Sequence, residues 1–579
     1  MCGIVGYIGW RDAAPLVVEG LKRLEYRGYD SFGVATENGE IRVVKRSGRI
    51  SENGADITAL GGTIGIGHTR WATHGVPNDT NAHPHTDCSG RIAVVHNGII
   101  ENYAVLKRKL IENGHRFASE TDTEVIAHLV EEHHRGDLLA AVTEAVRHLE
   151  GSYAILVIAK DDTRIIAARK SSPLVLGIGD GETLCASDIT PLLDHTERAV
   201  YLEDGDIAAL TPARIDVYHD GVAVERAVNH ITWSVDDAKK GGFEHYMLKE
   251  IYEQPQVFYN TIKALEKDSR LSMLRIPSEI TVAACGTSYH ASMAFRYLVQ
   301  EYTTKRLSVE LASEFKYYTP PVRDMVIGVT QSGETADTLA AIEAAKARNC
   351  PTLAVTNVLG SSITRSADWT VFMCAGPEIS VAATKSFTAQ LAVFMGMVNV
   401  MADGRFTEPL AHAHRSIERV LSTDLEAAVG LLGSATGMFY VGRGVFYPVA
   451  LEGALKMKEI SYIHAEGYAA GELKHGPFAL LSTETPVVAI CIPGQTYGVM
   501  LSNIKEMKAR GAPIIGIGVE GDTEVESVVD VFVTVPEDHP MVQAVTVSVV
   551  LQLLAYHTAN ALCRDIDKPR NLAKSVTVE

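Results

Sequence analysis

An internal repeat in the second half of the chain restricts the folds open to it. Residues 325–351 and 487–513 each contain an apolar strand, a loop with Gly-Xaa-Thr, a helix that ends in Lys-Ala-Arg, and a turn with proline. A further strand and glycine loop precedes each copy, at 283–288 and at 440–444. Strands that alternate with long helices are typical of parallel sheets with crossover connections. We therefore predict two duplicated, doubly wound α/β domains.

The first half has a different pattern of apolar runs and turn residues. Short apolar runs at 91–96, 153–158 and 164–168 are separated by Gly, Asn and Asp turns, which predicts strands. Two predicted helices interrupt them, one after Gly9 and one opened by a capping box at 121–124. This region is predicted to be α+β.

The run Ala238-Lys-Lys-Gly-Gly242 marks the change of texture and predicts a domain boundary. The last fifteen residues are polar and have no period of their own, which predicts a tail. Four segments follow: an α+β domain over 1–240, α/β domains over 241–420 and 421–564, and the tail over 565–579.

The charge balance disfavours some partners. The 579 residues include 53 Lys and Arg against 71 Asp and Glu, and this net charge of −18 disfavours nucleic acid as the main partner. The eight cysteines are scattered with no Cys-Xaa-Xaa-Cys, which fits a reducing cytosol. The first residues do not resemble a signal peptide, and the apolar stretch 541–563 carries polar residues typical of a buried helix. We expect a cytoplasmic protein with no membrane partner.

Cys2 is the most suggestive single residue for chemistry. Removal of Met1 would give it both a thiol and a free α-amine, and that amine can act as general base for the thiol. Taken alone, a cysteine at position 2 is more often an ordinary residue. Gly3 and Gly6 favour the chemical interpretation, since they keep the backbone around the terminus free of bulk.

Other residues of the first half would complete a site for an amino-acid amide. Arg70 could hold a carboxylate through a bidentate contact. Asn97 and Gly98 offer a side-chain amide and an unhindered backbone N–H, the donors that a tetrahedral oxyanion needs. Asp122 could receive an α-ammonium group, although a carboxylate at a helix start also stabilises the helix without any ligand.

The histidines of the first half do not predict a metal site. They occur at positions 68, 74, 83, 85 and 96. No carboxylate or thiol accompanies them at ligand spacing, and His83 with His85 is a weak signal. We therefore expect no metal.

Two loops of the second half are candidate phosphate sites. The loop 332–335 lies between a predicted strand (325–330) and a predicted helix (336–348), so it offers hydroxyls and helix N–H groups to an anion. Ser288, in the loop after a neighbouring strand, would add a hydroxyl. Either loop alone could be a helix cap, but two loops at the carboxyl ends of strands in one sheet favour a ligand site.

The stretch 456–477 carries acid–base candidates. Lys456 and Glu459 are three residues apart and hence share a helix face. By base rate they would form an exposed ion pair. Acid–base catalysis would instead need such a carboxylate close to a substrate.

Six segments of the first half resemble the N-terminal-nucleophile glutamine amidotransferases. They are, in order, CGIVGYIG, LEYRGYDS, GHTRWATHG, NAHPH, HNGIIEN and SETDTEVIAHL. The likeness continues through the second half, whose loops resemble the phosphosugar isomerase (SIS) domains of the same family. The resemblance implies an α+β N-terminal-nucleophile glutaminase domain followed by two α/β doubly wound SIS domains.

The resemblance implies roles in the glutaminase site. Cys2 attacks the side-chain amide of glutamine, and Asn97 and Gly98 form the oxyanion hole. Trp71 also gates an ammonia passage. The residues implied to surround the glutamine are Arg70, Trp71, Thr73, His74 and Asp122.

The resemblance also implies a sugar site. Glu459 moves a proton between the sugar carbons, and His475 opens the ring, reaching in from the partner subunit. Lys574, near the C-terminus, forms a Schiff base with the sugar carbonyl. The residues implied to contact the sugar phosphate are Ser288, Thr330, Gln331, Ser332, Thr335, Val381, Lys456 and Ala573.

The implied reaction couples the two sites. Glutamine is hydrolysed, ammonia passes through the protein, and fructose 6-phosphate is aminated and isomerised to glucosamine 6-phosphate, the first step of hexosamine formation. No cofactor is implied, the substrates are glutamine and fructose 6-phosphate, and the assembly is a homodimer. Thr330, Ala383 and Phe32 depart from the residues usual at their positions, but none of these changes removes a proposed catalytic group.

Two alternatives remain at this point. One is a related amidotransferase that aminates another phosphorylated acceptor; the duplicated sugar domains and Lys574 disfavour the phosphoribosyl version. The other is a sugar-phosphate-binding regulator without catalysis. Such a regulator would be expected to lack Cys2, Glu459 or Lys574, and all are present.

Overall fold

The chain falls into two compact units. The computed structural model describes residues 2–53, 57, 60–72, 74–231, 240–268, 276–318 and 324–577. The N-terminal unit comprises Met1–Ala238 together with Ala573–Glu579, and the C-terminal unit comprises Lys239–Leu572. The finer limits predicted from sequence, such as the division at 420, stay a prediction.

The N-terminal unit is built on two sheets whose named strands all pair antiparallel. One sheet has the order β15-β11-β9-β10-β1-β4-β2-β3, and the other β14-β13-β12-β8-β7-β6-β5. Numbered in chain order over the described residues, the strands are β1 Gly3–Ile8, β2 Ser31–Glu37, β3 Ile41–Ser47, β4 Ile64–Arg70, β5 His85–Thr86, β6 Ile92–Ile100, β7 Gly151–Ala159, β8 Ile165–Lys170, β9 Val175–Ile178, β10 Thr183–Ala186, β11 Arg198–Tyr201, β12 Asp206–Leu210, β13 Ile215–His219, β14 Val222–Val224 and β15 Val228–His230.

The two sheets pack face to face and carry helices on their outer faces. Alternate residues of each strand point into the shared core, as Ile4 of β1 and Val95 of β6 do. Gly67 of β4 has no side chain, which lets Val17 and Leu21 of the first helix pack closely over the first sheet. The helices of this unit are Ala13–Leu24, Ile50–Asn53, Tyr103–Glu112, Glu124–His133 and Leu138–Val146.

The C-terminal unit contains two five-stranded parallel sheets with the same strand order. The first sheet runs β17-β16-β18-β19-β20 and the second β22-β21-β23-β24-β25. The strands are β16 Glu279–Ala284, β17 Arg306–Leu311, β18 Val326–Thr330, β19 Thr352–Thr356, β20 Trp369–Phe372, β21 Gly437–Gly442, β22 His464–Ala469, β23 Val487–Ile490, β24 Ile514–Val519 and β25 Val531–Val535.

The repeated sequences occupy equivalent places in these two sheets. β18 and β23 are each the third strand of their sheet in chain order, and the helices Ala336–Lys346 and Tyr497–Lys508 follow them. An order of second, first, third, fourth and fifth strand is typical of doubly wound α/β domains. The predicted fold class, an α+β domain followed by two doubly wound α/β domains, is confirmed.

Helices cover the faces of both parallel sheets. Over the described residues they are Tyr246–Tyr252, Gln254–Lys267, Gly286–Tyr302, Ala312–Phe315, Ala336–Lys346, Ser362–Ser366, Lys385–Met401, Thr407–Val420, Glu426–Leu432, Phe446–Ser461, Tyr497–Lys508, Thr523–Glu526 and Pro540–Ala561, with 3₁₀ turns at Ala470–His475 and Pro477–Leu480. The last of these helices is long and apolar enough to cross a membrane, but 94% of its apolar window is buried inside the protein. The prediction of a buried helix there is confirmed.

The predicted featureless tail is partly anchored. Ile566 is fully buried. The carboxylate of Asp567 accepts the N–H groups of Tyr246 and Met247, at 2.9 Å each, and so satisfies two free donors at the start of a helix. Periodicity could not reveal this anchor, because it consists of single polar contacts to residues more than three hundred positions away.

Candidate active site

Cys2 lies at the edge of β1, beside the end of β4. The pairing of Gly3 with Thr69 places it next to Trp71, whose N–H donates to the Cys2 Sγ at 3.2 Å. Burial raises the pKa of the Cys2 thiol, while the Trp71 N–H and the Arg70 guanidinium act in the opposite direction. A thiol held protonated in this way needs a nearby base before it can attack, and the α-amine that removal of Met1 would expose on the same residue can supply that base.

The two predicted oxyanion donors lie beside this thiol on β6. The Asn97 Nδ2 donates to the carbonyl oxygen of Cys2 at 3.0 Å. Gly98 has a φ of +126°, and a Cβ there would lie 2.0 Å from the Ser152 carbonyl oxygen. Only glycine can occupy this position without displacing β7, so the backbone N–H of residue 98 stays unhindered.

Arg70 is buried at the end of β4. Its guanidinium donates to the carbonyl oxygens of His74 and Gly75, the latter at 3.1 Å. These contacts fix the guanidinium close to Cys2. Thr73, predicted to contact glutamine, lies outside the described residues.

Asp122 and Trp71 come close to the same site from other elements. The Asp122 Oδ2 accepts the N–H of Ile100 at 2.8 Å, which ties the loop before the helix Glu124–His133 to the end of β6. The Trp71 ring packs edge-on against Tyr29, with ring centroids 5.7 Å apart. The structure therefore brings together Cys2, Arg70, Trp71, Asn97, Gly98 and Asp122 around the start of β1.

The predicted capping box at 121–124 is wrong in detail. The helix begins at Glu124, and the Glu124 carboxylate accepts the N–H groups of residues 118 and 119, at 2.7 and 2.6 Å. The Thr121 hydroxyl instead contacts Nε2 of His85 at 3.0 Å. A buried tertiary partner outcompetes the local cap, and the loop that carries Asp122 is drawn toward β5 and β6.

The two predicted phosphate loops lie side by side in the C-terminal unit. β16 and β18 are parallel neighbours, so the loops that follow them emerge at the same sheet edge. The Ser288 Oγ accepts a hydrogen bond from Gln390 at 2.9 Å. The hydroxyls of Thr330 and Thr335 lie 2.7 Å apart across the second loop.

Hydrogen bonds and one tightly packed glycine hold the second loop in shape. The Gln331 carbonyl accepts the N–H of Asn357 at 3.2 Å, and the Ser332 Oγ accepts the N–H of Glu334 at 3.2 Å. Gly333 has a φ of +70°, and a Cβ there would lie 2.0 Å from the Ser361 Oγ. The loop is therefore preorganised before any anion binds.

Lys456 is fully buried, so the interpretation of Lys456 and Glu459 as an exposed ion pair is wrong. Its ammonium lies 2.6 Å from Glu459 and 3.3 Å from Glu452. Burial alone would lower the pKa of the Lys456 ammonium, but these carboxylates outweigh burial and hold that pKa above its ordinary value. The Glu459 side chain keeps 19% of its surface exposed, so it can reach a ligand.

The remaining predicted sugar-site residues come from other elements of the chain. His475 is exposed on the 3₁₀ turn Ala470–His475. Val381 is nearly buried, and its N–H donates to the carbonyl of Asp567 at 3.0 Å. Ala573 and Lys574 group with the N-terminal unit.

Comparison with known proteins identifies the family. A family model described as a glutamine amidotransferase domain matches residues 68–194, and one described as a SIS domain matches 273–400 and 431–561. Glutamine–fructose-6-phosphate aminotransferase (isomerizing) from Methanosarcina acetivorans is 46% identical over 100% of both chains. The protein of that name from Thermus thermophilus is 47% identical, also over 100% of both chains. The chain belongs to the glutamine–fructose-6-phosphate aminotransferase (isomerizing) family.

A solved relative of this aminotransferase family matches the second half. The C-terminal domain of glucosamine-fructose-6-phosphate aminotransferase from Francisella tularensis is 36% identical, with a TM-score of 0.52, and covers 57% of this chain and 100% of its own. The two SIS matches coincide with the two parallel sheets, and the amidotransferase match lies within the N-terminal unit.

Sequence reasoning missed a buried network beside the aminotransferase's Lys456. The Glu452 carboxylate accepts from the Thr287 hydroxyl at 2.9 Å and contacts Nδ1 of His290 at 2.8 Å. The Lys456 ammonium donates to the same Thr287 hydroxyl at 3.2 Å. Glu452 lies one helical turn before Lys456, and this i, i+4 spacing is the sequence feature that could have predicted their contact.

His68 is a second residue that sequence reasoning missed. Its Nε2 donates to the Asn97 Oδ1 at 3.0 Å, which turns the Asn97 amide nitrogen toward Cys2. Burial lowers the pKa of His68 to about 3, so the ring is neutral at physiological pH. His68 lies two residues before Arg70 on β4, so the sequence predicts that both side chains point to the same face of the sheet. The sequence does not predict its partner, because Asn97 lies on the opposite sheet.

Proposed function

We infer that the chain makes glucosamine 6-phosphate from fructose 6-phosphate, with glutamine as the nitrogen donor and glutamate as the second product. The observation that carries the glutaminase half is the grouping of Cys2, Arg70 and Asn97 at the start of β1. After removal of Met1, the Cys2 thiol gives its proton to the α-amine of the same residue, and the resulting thiolate attacks the glutamine amide carbon. Asn97 and Gly98 stabilise the oxyanion, and the α-ammonium returns the proton to the leaving nitrogen, which departs as ammonia. Water then hydrolyses the thioester to glutamate and the free thiol.

The sugar half uses residues of the C-terminal unit and of the tail. Ammonia adds at C2 of the open-chain sugar, whose carbonyl Lys574 has activated as a Schiff base, and the lysine is released. Glu459 removes a proton from C1 and returns one at C2, which converts the ketose imine into the amino aldose. Lys456 holds the Glu459 carboxylate in place through their 2.6 Å ion pair, and His475 opens the sugar ring.

The phosphate of the sugar binds at the paired loops of the first parallel sheet. Hydroxyls and backbone N–H groups there match an anion, and the helices after β16 and β18 add their positive ends. The contacts are assigned to Ser288, Thr330, Gln331, Ser332, Thr335, Val381, Lys456 and Ala573.

The working assembly is a homodimer in the cytoplasm. The exposure of His475 supports a role for this residue in the partner's site. All eight cysteines are free, which suits a reducing compartment. The domain limits at 240, 420 and 564 are retained as part of the proposal.

Separate variants of the two halves test the assignment. The full chain with Met1 removed is incubated with glutamine and fructose 6-phosphate, and glutamate and hexosamine phosphate are followed together by mass spectrometry. The wild type should form both in equal amounts. Cys2→Ala should form neither, whereas Glu459→Gln should release glutamate but lose amino sugar about 10²–10⁴-fold.

Cys563→Ser is the matched control for the cysteine, since Cys563 is exposed and lies in the C-terminal unit. It should behave as the wild type. Amino-sugar formation from glutamine by Cys2→Ala would contradict the nucleophile, and unchanged activity of Glu459→Gln would contradict the base.

A further inference from the structure

Four potential metal ligands meet in the N-terminal unit, in a cluster distinct from the Cys2 site. Cys88 follows β5, His115 follows the helix Tyr103–Glu112, and His128 and Glu131 lie one turn apart on the helix Glu124–His133. One ligand atom from each side chain lies within 4.8 Å of all the others.

The distances within this cluster match those around a tetrahedral ion. The Cys88 Sγ lies 3.7 Å from Nδ1 of His115 and 3.6 Å from Nδ1 of His128. Zinc bonds of about 2.3 Å to sulfur and about 2.0–2.1 Å to nitrogen at tetrahedral angles place those atoms about 3.6 Å apart. The Glu131 Oε2 lies 2.9 and 3.1 Å from the same two nitrogens, so it needs to retreat by only a few tenths of an ångström.

The groups around the cluster hold its ligands in orientation. The second nitrogen of His128, Nε2, lies 3.6 Å from the Glu124 Oε1, and that carboxylate is fixed by the N–H groups of residues 118 and 119. A carboxylate behind a histidine is the usual outer partner of a metal-bound imidazole. The Arg116 N–H donates to the Cys88 Sγ at 3.3 Å, which suits a thiolate.

We propose that Cys88, His115, His128 and Glu131 bind a zinc ion. One thiolate, two imidazoles and one carboxylate favour zinc over magnesium or calcium, which prefer oxygen ligands. The ion replaces the thiol proton, which passes to water. Its two positive charges balance the thiolate and the carboxylate.

The site is structural, because four protein ligands leave no open position on a tetrahedral ion. It joins three segments that are separate in sequence: the turn after β5, the loop at 113–118, and the helix that follows Asp122. The prediction of no metal rested on the histidines at 68–96, none of which belongs to this cluster. The four ligands at 88, 115, 128 and 131 match no sequence motif for a metal site, because they are too far apart in the chain.

Metal content and ligand identity test the proposal on the full chain. Protein prepared with zinc and freed of loosely bound ion is measured by inductively coupled plasma mass spectrometry. We expect about one zinc per chain in the wild type. Cys88→Ser and His115→Gln should lose most of it, whereas Cys563→Ser and Cys2→Ala should retain it, since neither thiol belongs to the cluster.

Cobalt provides a second readout that does not depend on activity. Co²⁺ in the zinc site should give the visible bands of a tetrahedral ion and a thiolate-to-metal charge-transfer band that disappears in Cys88→Ser. Chelation of the wild-type protein should lower its melting temperature, which covers the case of a variant that folds poorly. Substoichiometric zinc in the wild type, or equal zinc in Cys88→Ser, would overturn the proposal.

Discussion

Gly98, proposed to donate its N–H to the oxyanion, has a backbone conformation that only glycine tolerates at this position. Its φ of +126° and the 2.0 Å approach of a Cβ to the Ser152 carbonyl oxygen leave no room for a side chain. The donor N–H of that residue is therefore fixed by the register of β6 and β7. The neighbouring Asn97 is oriented by His68, so the two donors have independent supports.

Gly98→Ala should weaken glutaminase activity. The added methyl group forces β6 from β7 and displaces a donor that we expect to be worth about 10²–10³ in kcat. Glutamate release is the measurement. Gly90→Ala is the control, since Gly90 has a φ of +69° but open space around its Cβ, and should cost about 1 kcal/mol of stability with little loss of rate. Normal glutaminase activity in Gly98→Ala would contradict the assigned donor.

Buried histidines should make the N-terminal unit sensitive to acid. Burial lowers the pKa of His68 to about 3, that of His83 and His85 well below the ordinary value, and that of His96. The histidines of the unfolded chain bind protons at a higher pH than those of the folded chain. Their contribution to the free energy of unfolding is therefore fully present above about pH 6.5, and it is lost as the pH falls toward the pKa values of the folded state. Each histidine that stays neutral in the folded protein should lower the free energy of unfolding by about 2 kcal/mol at pH 5.

Hydrogen exchange measured from pH 7 to pH 5, after correction for the intrinsic rate, should show this loss in β4 and β6. His83→Gln should flatten the dependence, since it removes one buried titratable ring, whose centroid lies 4.1 Å from that of His68. His148→Gln is a control at a histidine whose side chain is 40% exposed. Equal pH profiles for wild type and His83→Gln would rule out this origin of the acid sensitivity.

At the scale of elements, the helix Pro540–Ala561 is the clearest case of a core element. Leu554 is fully buried, so Leu554→Ala should destabilise the C-terminal unit by about 2–5 kcal/mol through the cavity that it leaves. Calorimetry of the full chain should show the transition of that unit several degrees lower. Asn560→Ala, at an exposed position of the same helix, should change it little. Equal shifts for both variants would mean that the helix is not a core element.

The sequence predicted these elements far better than it predicted their contacts. The strand–loop–helix texture and the repeat were enough to predict both parallel sheets, because local periodicity determines where strands and helices form. The network of Glu452 with His290 was missed, because burial there results from one helix packing on another, Phe446–Ser461 on Gly286–Tyr302. The capping box failed for the same reason, since a tertiary partner took the Thr121 hydroxyl.

At the scale of the whole molecule, the two copies of the duplicated domain in the C-terminal unit carry different polar groups. Both sheets have one strand order, yet the paired hydroxyl loops lie on the first and the Lys456 network begins on a helix of the second. His290 and Thr287 connect the two copies directly. In the proposed function, one copy therefore offers the phosphate site and the other supplies the acid–base groups.

The anchor at Asp567 also bears on how such a chain can be rearranged. Its carboxylate contacts Tyr246 and lies 3.8 Å from the Lys240 ammonium, so the first and last segments of the C-terminal unit meet at one point. A protein engineer could join those ends by a short linker and reopen the chain at a surface loop, which yields a circular permutant with both sheets intact.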